Sequence, residues 1–195
     1  MDLTAFFKAE FADHLDTARR TEQALAGAFA GLVGACVTSL REGGKLMFFG
    51  NGGSAADAQH LATEFTIRYK KNRKALAAIA LTTDSSALTA AGNDLGFEQI
   101  FMRQIEALGK AGDVAIAIST SGTSPNVLAG LQQAQAMGIV TAALGGKGGG
   151  LMGFADHLLV VPSDTTARIQ EMHIALGQML CGAVEIELRL ARSGH

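Results

Sequence analysis

The sequence predicts an α/β fold, a parallel five-stranded sheet with helices on both faces, preceded by an N-terminal helical pair. Three observations predict it. Short apolar runs at residues 45–50, 75–81, 113–118, 139–144 and 157–161 have strand length and suit strands covered on both faces. Helical patterns alternate with them over residues 54–69, 85–92, 97–109, 125–137 and 149–155, which implies right-handed crossovers between parallel strands. Two of the strands run into turns rich in glycine or hydroxyl residues, and ligands of such sheets bind beyond the carboxyl ends of the strands.

Taken in order, residues 3–42 are helical in pattern and read as two helices. Leu3, Phe6, Phe7, Phe11 and Leu15 recur near a period of 3.6, and Leu25, Phe29, Leu32, Val33, Cys36, Val37 and Leu40 form a second apolar face. Gly27, Gly31 and Gly34 lie inside that second segment as marks of close helix packing. Such a pair has nothing to cover alone, so it is expected to pack partly on the sheet and partly on another subunit. Gly43-Gly44 opens the strand–helix alternation, and Asp164 or Thr165 opens a long final helix running to about Arg192. With no repeat, low-complexity segment or linker, residues 1–195 read as a single domain.

Apolar residues are 48% of the chain and charged residues 17%, which excludes a disordered chain. A net charge of −2 gives no broad electrostatic case for nucleic acid. The basic run from Arg68 to Lys74 reads as a solvated loop, and Cys36 and Cys181 as buried free thiols. No apolar run approaches the ~20 residues of a membrane span, and the start lacks a signal-peptide pattern, so a soluble cytoplasmic protein is expected.

The functional signal centres on residues 48–64. An apolar strand ends in Gly50-Asn51-Gly52-Gly53, and Ser54 sits at the start of a helix, where free N–H groups and the helix dipole attract an anion. Asp57, His60 and Glu64 fall at i, i+3 and i+7 and share one helix face. A second strand runs into Ser119-Thr120-Ser121-Gly122-Thr123-Ser124, with Ser124 as N-cap and Pro125 suited to the first helical turn. Hydroxyls and free amides at a helix start bind phosphate without a lysine. Neither loop is a Walker A sequence, and the glycine spacing is wrong for a dinucleotide fingerprint. Gly145 to Gly150 reads as a flexible loop.

Residues 50–60 (GNGGSAADAQH) and 119–126 (STSGTSPN) together resemble the SIS domain family. Residues 80–86, 92–98 and 166–173 narrow the likeness to its phosphoheptose isomerases, over nearly the whole chain. The resemblance implies a three-layer, flavodoxin-like sheet and a homotetramer with sites at subunit interfaces. It implies interconversion of sedoheptulose 7-phosphate and D-glycero-D-manno-heptose 7-phosphate, for the heptose of lipopolysaccharide. Substrate contacts would come from Asn51, Gly52, Gly53, Asn93, Asp94, Ser119, Thr120, Ser121, Ser124 and Gln170, beside Ser54 at the helix start. Zinc would be held by His60, Glu64 and Gln170, but the position that closes the family's set with a second histidine is Gln178 here.

That departure matters. Isomerisation through an enediol needs a group that moves a proton between adjacent carbons. Glu64 can serve as the base, with Asp57 or a water covering the missing step. Gln178 has no titratable proton, so it can orient or coordinate but not exchange protons. Zinc occupancy is therefore expected to be weakened. His173 is expected to be a packed core histidine. The alternative to an active isomerase is a non-catalytic or altered-specificity phosphosugar-binding protein, such as a DnaA initiator-associating protein.

Overall fold

The computed structural model describes residues 1–147 and 149–190. Five parallel strands are β1 (Leu46–Gly50), β2 (Ala78–Ala80), β3 (Val114–Ser119), β4 (Val140–Gly145) and β5 (His157–Val160). Six helices accompany them: α1 (Leu3–Arg41), α2 (Gly53–Thr66), α3 (Ser85–Asp94), α4 (Ile100–Leu108), α5 (Pro125–Ala136) and α6 (Thr166–Glu187). The sheet order is β2-β1-β3-β4-β5. This is the doubly wound order whose crevice opens between β1 and β3.

Strand alternation builds the layers. Leu46 and Phe48 point into one core with α1, α2 and α6, whereas Met47 and Phe49 point into another with α4 and α5. All five residues of β1 and all six of β3 are buried, as continuous apolar runs require when helices cover both faces. Cys36 and Cys181 are buried free thiols in the first core, and burial pushes the Cys36 thiol up to about 12.

The N-terminal pair is instead one helix of 39 residues. The Asp2 carboxylate accepts from the N–H groups of Thr4 and Ala5 and starts it. Three interior glycines, each about 1 kcal/mol worse than alanine, do not break it. Its second half lies along α6 and the sheet, and Gly31 admits the His157 ring: a Cβ there would stand 3.2 Å from Nδ1. Within α1 an 18-residue window of mean hydropathy 1.5 is long and apolar enough, by composition, to cross a membrane. A third of that window is buried in the fold. Leu3, Phe6, Phe7, Phe11 and Leu15 all stay exposed.

Other elements shift by smaller amounts. The strand expected over 75–81 keeps only three residues, at the sheet edge beside β1. The helix expected over 149–155 is a short 3-10 turn, Gly149–Gly153, because three of its residues are glycine. Helix 97–109 opens as a 3-10 turn, Phe97–Gln99. Helix α6 ends at Glu187, and the expected end at Arg192 lies outside the described residues, as does Gly148 of the glycine loop. The basic run is not uniformly solvated. The side chain of Arg73 is 2% exposed and pairs with Glu185 of α6 at 2.6 Å.

Candidate active site

The turns after β1 and β3 lie side by side because their strands pair. Gly50 sits where they nearly touch: a Cβ on it would stand 2.5 Å from the Ile118 carbonyl oxygen. Gly52 follows at φ +57° and is the N-cap of α2, with no side-chain cap, so the helix start stays open to an anion. Ser54 is buried behind this turn.

On the β3 side, Ser119 Oγ accepts from Gly122 N–H at 3.1 Å, and Ser121 Oγ from Thr123 N–H at 3.3 Å. Ser124 is the N-cap of α5 and Pro125 its first residue, but the Ser124 hydroxyl makes no capping bond. Asn51 and Asn126 lock the two turns together by exchanging amide hydrogen bonds, both 2.8 Å. Asn126 was missed as a site residue. Its signal was an amide in the first turn of a helix beside a neighbouring strand's Asn-bearing turn.

Helices α2 and α6 run side by side in the same direction. Gln170 lies over Gly53, where an added Cβ would be 2.8 Å from its Nε2. One stage further along, Gly177 packs on Leu61, and a Cβ there would be 2.5 Å from a Leu61 methyl. Gln178 then meets His60, Nε2 to Nε2 at 2.5 Å, and Glu64 Oε1 stands 3.2 Å from that same His60 nitrogen. Further on, Arg73 donates to the backbone oxygens of Glu64 and Phe65 at 2.7 Å each while paired with Glu185. The last turn of α2, which carries Glu64, is thereby pinned to α6.

The structure thus brings His60, Glu64 and Gln178 to one point and holds Gln170 at the start of the same helix face. Asp57 is half-buried on that face; burial raises its carboxyl above the usual range, and His60 partly opposes this. Asn93 and Asp94 are exposed at the end of α3 and bond to each other at 2.7 Å. No hydrogen bond joins them to the two turns among the described residues. His173 is fully buried, meets the Gly145 carbonyl oxygen at 3.1 Å through Nε2, and burial lowers it to about 4. It is a neutral core histidine.

Among the described residues no three His, Cys, Asp or Glu side chains converge as a metal site. Yet a neutral imidazole nitrogen offers one hydrogen-bonding direction, and two polar groups crowd His60 Nε2. One imidazole, one carboxylate and an amide oxygen fit a divalent cation, more weakly than a set with a second imidazole.

A family model described as SIS domain matches residues 9–146. The phosphoheptose isomerase of Paramagnetospirillum magneticum is 60% identical over 186 residues, covering 95% of this chain and 97% of that protein. Phosphoheptose isomerase 1 of Campylobacter jejuni is 61% identical over 147 residues, 75% of this chain and 79% of that one. Among solved structures, a phosphoheptose isomerase from Francisella tularensis superposes with a TM-score of 0.92 at 36% identity, covering 95% of this chain and 100% of that one. The enzyme from Neisseria gonorrhoeae gives 0.88 at 42% identity, covering 94% and 99%.

Proposed function

Since this chain belongs to the SIS domain family, and within it to the phosphoheptose isomerases, we propose how its own residues interconvert sedoheptulose 7-phosphate and D-glycero-D-manno-heptose 7-phosphate. The observation that carries the proposal is the meeting of Glu64, His60 and Gln178 across the α2–α6 seam, beside two anion-binding turns. The phosphate rests on Thr120, Ser121, Ser124 and the open start of α2, with Ser119 shaping the turn. Asn51, Gly52 and Gly53 line the sugar, and Gln170 reaches it from across the seam. Asn93 and Asp94 approach it from α3.

Glu64 removes the proton from the carbon next to the carbonyl and returns it to the neighbouring carbon. Asp57, whose carboxyl keeps its proton to higher pH than usual, supplies the proton to the carbonyl oxygen as the enediol forms and takes one back from the neighbouring hydroxyl as the new carbonyl forms. Gln178 cannot titrate; it orients His60 and the sugar oxygens. His60 and Glu64 would hold a zinc ion, with the Gln178 and Gln170 amides as weaker ligands. When bound, the ion polarises the carbonyl oxygen. Its affinity is lower than that of a site closed by a second histidine.

The assembly is a homotetramer in the cytoplasm, feeding lipopolysaccharide heptose, with no nucleic-acid or membrane partner. What supports an oligomer is the exposed stripe Leu3, Phe6, Phe7, Phe11 and Leu15 of α1. A groove of about 590 Å³ between α1 and α6, lined by Phe29, Val33, Val37 and Ile186, adds to it.

The test incubates the purified protein with sedoheptulose 7-phosphate, with and without added zinc, and follows aldose formation. Turnover that Glu64→Gln abolishes supports the reading; wild-type protein inert under both conditions overturns it.

A further inference from the structure

Beyond the hydroxyl turn and the helix start, a cavity of about 240 Å³ opens between the turns that follow β3, β4 and β5. Thr120, Ser121, Ser163 and Thr166 line it with hydroxyls, and Lys147 and Asp164 line it with opposite charges. Among the described residues that line it, Lys147 is the one cation. We propose that Lys147 binds and selects the substrate's phosphate, and that Asp164 holds it in reserve until the phosphate arrives. The proposal rests on the phosphosugar reading above and assigns to that site a charge which the hydroxyl turn lacks.

Residues 145–150 read Gly-Gly-Lys-Gly-Gly-Gly, so Lys147 is the only one of the six with a side chain. The glycines let this loop lie directly on the hydroxyl turn. A Cβ on Gly146 would stand 2.4 Å from the Thr120 carbonyl oxygen, and one on Gly150 would stand 2.4 Å from the Gly122 carbonyl oxygen. Both distances are too short for any other residue. A loop stripped of side chains is thus pressed against the turn, and its one side chain is a lysine.

That lysine is not free. Its Nζ lies 2.7 Å from Asp164 Oδ2, with the two side chains 54% and 78% exposed. An ion pair in water is weakly held. A phosphate dianion offers three acceptor oxygens and more charge than a carboxylate, so it displaces Asp164 with little resistance. A neutral sugar, or one with a single negative charge, makes a poorer competitor. The pair therefore discriminates by charge before the sugar is read.

The experiment uses the full chain and inorganic phosphate as probe, with affinity measured by titration calorimetry. KM and kcat for sedoheptulose 7-phosphate are measured alongside. Lys147→Met should weaken phosphate binding about tenfold or more, flatten its salt dependence, and raise KM more than it lowers kcat. Lys147→Arg should restore most of the affinity. Asp164→Asn should tighten phosphate binding, because the competitor is gone. Thermal midpoints of all three should match the wild type, since the pair is exposed. Lys147→Met that binds phosphate as the wild type does would overturn the proposal, as would Asp164→Asn that binds it more weakly. If these shifts appear but no heptose phosphate turns over, the isomerase reading fails and this one stands. If turnover is normal and Lys147→Met changes nothing, the reverse holds.

Discussion

Replacing Gly53 by alanine separates chemistry from stability. Gly53 is the first residue of α2 and is not among the positive-φ glycines, so alanine fits its backbone. Alanine gains up to ~1 kcal/mol in helix propensity, chiefly because it stiffens the unfolded chain. The new Cβ, however, would stand 2.8 Å from Gln170 Nε2, 3.5 Å from its Cδ and 3.8 Å from its Oε1. The amide nitrogen must retreat by roughly 0.6 Å to reach ordinary contact. It ends a flexible side chain, so the fold yields at small cost. A substrate held by that amide feels the displacement, and errors near 1 Å at a reacting centre cost on the order of 100-fold. Expected, then, are a thermal midpoint equal to the wild type or ~2–4 °C higher at equal protein concentration, and a kcat/KM lower by on the order of tenfold. Gln170→Ala should lose a similar amount, and the double variant little more, because both act through one contact. Wild-type kcat/KM in Gly53→Ala, with the midpoint unchanged or raised, would refute the placement of Gln170 on the substrate.

Three other outcomes follow from single contacts. Arg73→Ala leaves Glu185 buried and unpaired and uncovers two carbonyls at the end of α2; urea unfolding should register a loss of ~3–5 kcal/mol, and Arg73→Met with Glu185→Leu should lose clearly less than the two singles summed. His173 is held neutral by burial at about 4, against 6.5 in the open chain. Acid therefore protonates the unfolded chain first. Stability is full above about pH 6.5 and falls by about 3 kcal/mol on the way down to about pH 4, and His173→Gln should flatten that limb of the pH–stability curve. Gln178→His supplies a second imidazole beside His60, so zinc per protomer, measured by elemental analysis after dialysis, should rise above the wild-type value; equal content in both proteins would show that residue 178 does not govern the metal.

What the sequence made legible was whatever depends on local pattern. Buried strands such as Phe48-Phe49 and Ile116 to Ile118 announce themselves, because strands covered by helices on both faces read as near-continuous apolar runs. The shared face of His60 and Glu64 follows from helix period alone, and they meet at 3.2 Å. Local pattern could not show that α1 runs unbroken past three glycines, since tertiary packing decided that. Nor could it show that Arg73 leaves the solvated run for Glu185, or that Asn126 pairs with Asn51. Each of those depends on which strand lies beside which. Asn93 and Asp94 entered through resemblance alone, and among the described residues their side chains hydrogen-bond to each other.

The seam between α2 and α6 constrains residue 178 less than it constrains Gly177 and Glu185. The side of α6 toward α2 carries Gln170, the adjacent pair Gly177 and Gln178, and Glu185, at intervals of about two turns of helix. Two of these set the distance between the helices: Gly177 by admitting Leu61, and Glu185 by holding Arg73. A side chain on Gly177 would push the helices apart, and a neutral residue at 185 would strand a buried guanidinium, so the fold itself resists change at both. Gln178 faces His60, which is exposed. Water can accommodate whatever replaces the amide there, and the fold barely registers the substitution. The proposed chemistry would register it, because the partner nitrogen on His60 also lies 3.2 Å from the Glu64 carboxylate. In the proposed mechanism, position 178 is thus where metal affinity and proton handling would change without endangering stability.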